Sequence, residues 1–245
     1  MLFAKLVDIY QQAGFAIRSS ISPFMLKTIS NVSSEDGTFT YIVKDGANYG
    51  AHGGGISMSE VYLIDSLAAA FKPANVFGIG CSFGWSSVAL AVANPAAKVV
   101  AIDIAEGTSA PGLGLTNQIA ARHGLNLKGL IGRSPEDVPA IVERELGGRI
   151  DLVFIDADHT DTAQYADFRA VAPYCHPGTV YLFHDVYICQ TTASFKRIAA
   201  EMVTHDGVVL TRTASGIGAL IPKSATAELR GAIAAFADPF CVVPL

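Results

Sequence analysis

The sequence predicts an α/β fold: a doubly wound, mostly parallel seven-stranded sheet with helices on both faces and an antiparallel C-terminal hairpin. Three observations predict it. From residue 75 onward, short continuous apolar runs alternate with stretches of helical spacing, the pattern of strands buried on both faces. A glycine-rich loop directly follows the first of those runs. The last two runs are separated only by Ala214-Ser215-Gly216, the length of a tight hairpin connection. A chain of 245 residues can bury one large core. With 51% hydrophobic and only 16% charged residues, its surface leaves apolar area that a second copy could cover, so a homo-oligomer is expected.

Taken in order, residues 1 to about 30 carry helical apolar spacing (Leu2, Leu6, Ile9, Tyr10). Residues 31–55 read as loop, with Asp45-Gly46 and Gly53-Gly54-Gly55. Residues 1–56 are therefore expected to form a helical and loop segment serving substrate or subunit contacts, ahead of a main domain over 57–245. Ser57 with Glu60 three positions on forms a capping-box signature, opening a helix to about Phe71. Strands follow over 75–79, 98–103, 127–132, 150–155 and 178–183, with helices over 84–94, 115–123, 135–146 and 161–172 between them. A helix over 191–203 leads into the strand pair 207–213 and 217–222. A last helix over 225–237 ends in the apolar Cys-Val-Val-Pro-Leu, which could pack on a neighbour.

Composition narrows the function classes. A net charge of -5 opposes an electrostatic footprint for nucleic acid or anionic membrane, and no uncharged apolar run is long enough to span a bilayer. The N-terminus lacks a continuous signal-peptide core. Cys81, Cys175, Cys189 and Cys241 are scattered with no Cys-x-x-Cys pair, which fits neither a disulfide framework nor a structural zinc site. A cytoplasmic protein acting on a small molecule is expected.

Residues 75–103 carry the first functional signal: apolar strand, glycine loop, small-residue helix, second strand ending at Asp103. Gly80 and Gly84 let the backbone approach a ligand at a helix N-terminus, and Asp103 stands where an adenosine ribose would present its hydroxyls. The spacing Gly78-x-Gly80-x-x-x-Gly84 is one residue longer than the dinucleotide fingerprint, which disfavours a nicotinamide cofactor. The other strand ends are polar as well: Gly132-Arg133-Ser134, Asp156-Ala157-Asp158-His159 and His184-Asp185. In such sheets ligands collect at the carboxyl ends of the strands, so these residues should line one crevice.

Residues 57–222, with this loop and Asp103, resemble class I S-adenosylmethionine-dependent methyltransferases, which have a Rossmann-like sheet. The segments Ile150-Asp-Leu-Val-Phe-Ile-Asp-Ala-Asp-His159 and Pro177-Gly-Thr-Val-Tyr-Leu-Phe-His-Asp-Val186 look more specifically like metal-dependent O-methyltransferases. These are the relatives of the catechol and caffeoyl-coenzyme A enzymes, and above all small bacterial members with Asp-x-Asp-His and His-Asp. The resemblance implies S-adenosylmethionine as cofactor and a small-molecule hydroxyl as acceptor. It places Gly78, Gly80, Ser82, Gly84, Trp85 and Asp156 around the cofactor, Asp103 on the ribose and Ser134 beside the adenine. It makes Asp156 and Asp185 ligands of a divalent cation, His184 a third ligand departing from the family's acidic pair or Asp-Asn pair, and His159 the general base. Gly78 departs too, standing where relatives often carry an acid.

The chemistry needs these residue types. Methyl transfer from a sulfonium is an in-line displacement, which requires aligned reactants and a deprotonated acceptor oxygen. A metal held by carboxylates lowers a hydroxyl's pKa; carboxylate oxygens suit Mg2+, whereas His184 would tilt selectivity toward transition metals. Plainer readings exist for the same residues. Asp156 and Asp158 could end a strand and cap the next helix. His184 could be a structural histidine, His159 an exposed helix-start residue, Trp85 a packing aromatic, Cys81 a small filler and Arg133 a solvated loop residue. His52, His123, His176 and His205 default to surface or core roles, and His52 with 53–55 to a lid or connector. A nicotinamide oxidoreductase and a non-catalytic cofactor-binding protein are the alternative functions, and a hydrolase is a weaker one.

Overall fold

In the computed structural model, which describes residues 1–19, 39–49, 55–107 and 110–237, the continuous apolar runs become the middle of a seven-stranded sheet. Its strands are β4 (Asn75–Ile79), β5 (Lys98–Asp103), β6 (Leu127–Ile131), β7 (Ile150–Ile155), β8 (Cys175–Phe183), β9 (His205–Leu210) and β10 (Ile217–Pro222). The order is β6-β5-β4-β7-β8-β10-β9. β4 pairs in parallel with both β5 and β7, so the chain reverses direction across the sheet at β4, the position where such folds bind ligands. The expected antiparallel pair forms, but β9 ends at Leu210, so residues 211–216 connect the strands and not the three-residue turn 214–216; β10 sits inside the sheet, antiparallel to both β8 and β9, and β9 takes the edge. Every residue of β7 and β10 is buried, which is why both read as largely apolar runs, broken in β7 only by Asp151.

Alternate side chains of each strand feed two cores. Val76, Val99, Leu152 and Leu182 pack on one face with helices α1 (Leu2–Gln12), α2 (Met58–Ala70) and α3 (Trp85–Ala93). Phe77, Val100, Val153 and Phe183 pack on the other with α5 (Val138–Leu146), α6 (Asp161–Val171) and α7 (Thr192–Glu201). Helices α4 (Gly112–His123) and α8 (Ala227–Ala234) complete the layers. The capping box forms as predicted: the Ser57 hydroxyl accepts from the Glu60 amide, and the Glu60 carboxylate accepts from the Ser57 amide at 2.6 Å. At the start of α6 the cap is Thr160, whose hydroxyl accepts from the Ala163 amide, and not Asp156 or Asp158.

The N-terminal segment departs from the sequence reading. The helix stops at Gln12, Gly14 adopts φ +87, and Ala16–Arg18 is a strand (β1). It pairs with β2 (Tyr41–Lys44), which pairs in turn with β3 (Ala47–Tyr49) across Asp45-Gly46, both at positive φ. Asp-Gly between two short runs is a hairpin signal, and here it marks a three-stranded antiparallel sheet where a loop was expected. Leu2, Leu6, Ile9 and Tyr10 join the main core, and the Tyr10 hydroxyl donates to the Phe83 carbonyl at 2.8 Å, so residues 1–12 brace the glycine loop. Among the described residues, Cys81, Cys175 and Cys189 are free and no helix is long and apolar enough to cross a membrane. His52, Cys241 and the apolar tail lie outside the described residues.

Candidate active site

A cavity of about 830 Å3 opens at the carboxyl ends of β4 to β8, within the ~300–1,000 Å3 usual for small-molecule sites. Its first half is the glycine loop. Gly80, Ser82 and Gly84 all have positive φ, and Gly84 is the N-cap of α3. Asp103, at the end of β5, holds the loop's shape: one carboxylate oxygen accepts from the amides of Cys81 (2.9 Å) and Ser82 (2.7 Å), the other from Ala105 (2.8 Å). The glycines answer a demand inside the protein. A Cβ on Gly80 would lie 1.8 Å from the Asp156 carbonyl oxygen, and one on Gly84 would lie 2.2 Å from the Thr116 hydroxyl.

Of the residues expected here, Gly80, Ser82, Trp85, Asp103 and Ser134 line the cavity, whereas Gly78 and Gly84 do not. Gly78 lies within β4 with its Cβ direction toward Ala101, in ordinary contact at 3.5 Å. Trp85 packs against Phe3 and Tyr10 and also forms part of the cavity wall. Arg133 is exposed and paired with Glu106. Asp167 on α6, not singled out from sequence, lines the cavity with Ser134. Burial raises its carboxyl to about 6, against the pull of the Ser134 hydroxyl.

The second half is a cluster of carboxylates and imidazoles. Asp156 follows β7, and His184 and Asp185 follow β8, with Asp185 at φ +58, a strained conformation of the kind found at functional sites. His184 Nδ1 lies 3.1 Å from both Asp156 Oδ1 and Asp185 Oδ2. His159 Nε2 lies 3.1 Å from Asp185 Oδ2 and 3.6 Å from Asp156 Oδ1. Behind them, fully buried Glu60 sits 3.2 Å from His184 Nε2. Nothing in the sequence marks Glu60 beyond its capping box, because the residues that give it a second role are far away in the chain.

Electrostatics follow from this crowding. Burial pushes Asp156 upward, but the positive charge of His184 and the proximity of His159 hold it well below the usual carboxylate range. Glu60, likewise penalised by burial, is brought down to about 2 by His184, Ser215 and the Ser57 amide. Burial works against a charged His184, yet Asp156, Glu60 and Asp185 hold it well above the ordinary histidine value. Asp156, then Asp185, raise His159 in the same direction.

The donor set fits a divalent cation. One atom each from Asp156, His184 and Asp185 lies within 4.8 Å of the others. Although His184 Nδ1 is close to both carboxylates, it makes no hydrogen bond among the described residues, and neither does the buried Asp185 Oδ1. A buried imidazole nitrogen and a buried oxygen of the neighbouring carboxylate, both left unsatisfied, are the state an ion would relieve.

Residues 77–186, from β4 to just beyond β8, match a protein family described as a methyltransferase domain. The segment contains the glycine loop, Asp103, Asp156, His159, His184 and Asp185. Solved structures share the fold over most of the chain. The O-methyltransferase TomG from Streptomyces achromogenes, in complex with S-adenosylmethionine, is 21% identical with a TM-score of 0.55, over 68% of this chain and 81% of that one. An O-methyltransferase from Bacillus cereus bound to S-adenosylhomocysteine is 20% identical with a TM-score of 0.56, over 81% and 88%. A putative O-methyltransferase from Klebsiella pneumoniae is 15% identical with a TM-score of 0.57, over 84% and 97%.

This is a class I methyltransferase fold.

No curated protein sequence matches the chain. Within the methyltransferase fold, the glycine loop and the carboxylate–imidazole cluster line one cavity.

Proposed function

We propose that the protein transfers a methyl group from S-adenosylmethionine to a hydroxyl oxygen of a small molecule. The observation that carries this reading is contiguity: the loop bearing Gly80 packs directly on the backbone of Asp156, so cofactor loop and cluster share one cavity. The amides and side chains around Gly80, Ser82, Asp103 and Ser134 would hold the cofactor. Phe39, Ile42 and Tyr49, which wall the cavity together with Trp85, would exclude water and orient an apolar acceptor. Asp156, His184 and Asp185 would hold a divalent cation, which when bound lowers the acceptor hydroxyl's pKa. His159, the most exposed member of the cluster at 38%, would take the hydroxyl proton on its imidazole. The free thiols support a reducing compartment such as the cytoplasm.

The test is transfer of labelled methyl from S-adenosylmethionine to a panel of small hydroxyl compounds. For a compound that reacts, His159→Ala should lower turnover about 10²–10⁴-fold and leave S-adenosylhomocysteine affinity within about twofold, the loss expected for a general base. An unchanged rate removes His159 from the mechanism.

A further inference from the structure

We infer that Glu60 is the positioning residue of this site: it fixes the ring of His184 so that Nδ1 lies between Asp156 and Asp185, where it can lose its proton and offer its lone pair to a bound ion. The inference rests on the metal-assisted reading above. A capping-box glutamate needs only its contact to the N-cap amide and ordinarily leaves its carboxylate at the surface. Glu60 is 0% exposed and does much more. Oε2 accepts from the Ser57 amide at 2.6 Å and faces His184 Nε2 at 3.2 Å; Oε1 accepts from the Ser215 amide at 2.9 Å and the Ser215 hydroxyl at 2.5 Å. One carboxylate thus joins the start of α2, the end of β8 and the β9–β10 turn. With both oxygens held, it cannot swing away from the imidazole.

The two ring nitrogens of a histidine point in divergent directions, so the partner of one decides what the other offers. A carboxylate at Nε2 keeps the proton there and leaves Nδ1 unprotonated when an ion is bound, which is the arrangement found behind metal-ligating histidines. Phe39 and Phe154 flank the same ring, with centroids 6.2 and 6.1 Å away. The consequence is a site of two carboxylates and one oriented imidazole nitrogen. Such a set favours Mn2+, Co2+ or Zn2+ over Mg2+, which prefers oxygen ligands.

The experiment is a double-mutant cycle on metal affinity, with Co2+ titrated into the full chain and followed by calorimetry and its visible absorption. Glu60→Gln should weaken Co2+ binding about 10–100-fold, the usual effect of removing a metal ligand's outer partner. In a His184→Asn background the same change should have less than a twofold effect. An unchanged affinity for Glu60→Gln, or an equal loss in both backgrounds, overturns the inference, since a merely structural role would act without His184. If Glu60→Gln does not fold, the wild type decides: the nitrogen NMR spectrum of the Zn2+-loaded protein should show His184 protonated at Nε2, and a proton at Nδ1 overturns the inference. A folded wild type that binds S-adenosylhomocysteine but none of Co2+, Mn2+ or Zn2+ removes the metal reading itself, and Glu60's role with it.

Discussion

Gly80→Ala tests the contiguity of the site in one methyl group. Gly80 has φ +90, where a Cβ costs about 1–2 kcal/mol. The added Cβ would also lie 1.8 Å from the Asp156 carbonyl oxygen, so loop or strand end must move by more than an ångström. Forcing extra volume into packed backbone costs a further ~1–3 kcal/mol, giving about 2–5 kcal/mol in all. For a domain of this size that is a fall in Tm of about 4–20 °C. Two controls separate the causes. Gly46→Ala has φ +80 but nothing within 4 Å, so it should lose only the backbone part. Gly78→Ala has neither a positive φ nor a neighbour nearer than 3.5 Å, and should stay within about 1 kcal/mol of wild type. Thermal and urea unfolding read the stabilities, and titration with S-adenosylhomocysteine reads the loop. If Gly80→Ala matches Gly46→Ala in stability and keeps wild-type affinity, the loop does not pack on Asp156 as described.

Exhaustive chelation should abolish methyl transfer, with Mn2+ or Co2+ restoring it and S-adenosylhomocysteine affinity preserved; activity that survives would reduce Asp156 and Asp185 to positioning groups. A second prediction concerns the opposite ends of the strands. There the Asp151 carboxylate accepts from the Ala74 and Asn75 amides at 2.9 Å each and lies beside His176 and Arg149. Burial raises its pKa, but His176, those amides and Arg149 together bring it below the ordinary value. Because the folded-state pKa is the lower one, its contribution is present above the unfolded value of ~3.9 and is lost as pH falls through the folded value. Asp151→Asn should therefore cost about 1–3 kcal/mol near neutrality, and the gap to wild type should close in acid. A gap that stays constant in urea unfolding down to about pH 3 would contradict this.

The sheet was legible because its strands are buried on both faces: six-residue runs such as 150–155 cannot be hidden by any surface requirement. The first helix of the main domain was legible because a capping box is local chemistry, complete within four residues. Strands of three or four residues such as β1 to β3 are too short to establish a period, and the helical spacing of Leu2, Leu6, Ile9 and Tyr10 was carried past its true end at Gln12. The strand-end residues Asp103, Asp156, His159, Ser134, His184 and Asp185 were readable from position, since a parallel sheet delivers its carboxyl ends to one edge. Glu60 was not, because what gives it a role beyond the cap is a histidine 124 positions away and a serine 155 positions away. The contacts that require Gly80 and Gly84 within the protein were not legible, because the backbone of Asp156 and the side chain of Thr116 that they clear space for are distant in the chain.

The central claim is that this cavity is built for S-adenosylmethionine, and calorimetric titration of the folded protein with S-adenosylhomocysteine tests it most directly. The account predicts saturable binding of one molecule per chain, weakened when Asp103 is replaced by alanine because the Cys81 and Ser82 amides lose their anchor. Absence of any binding by a protein that remains folded would contradict it.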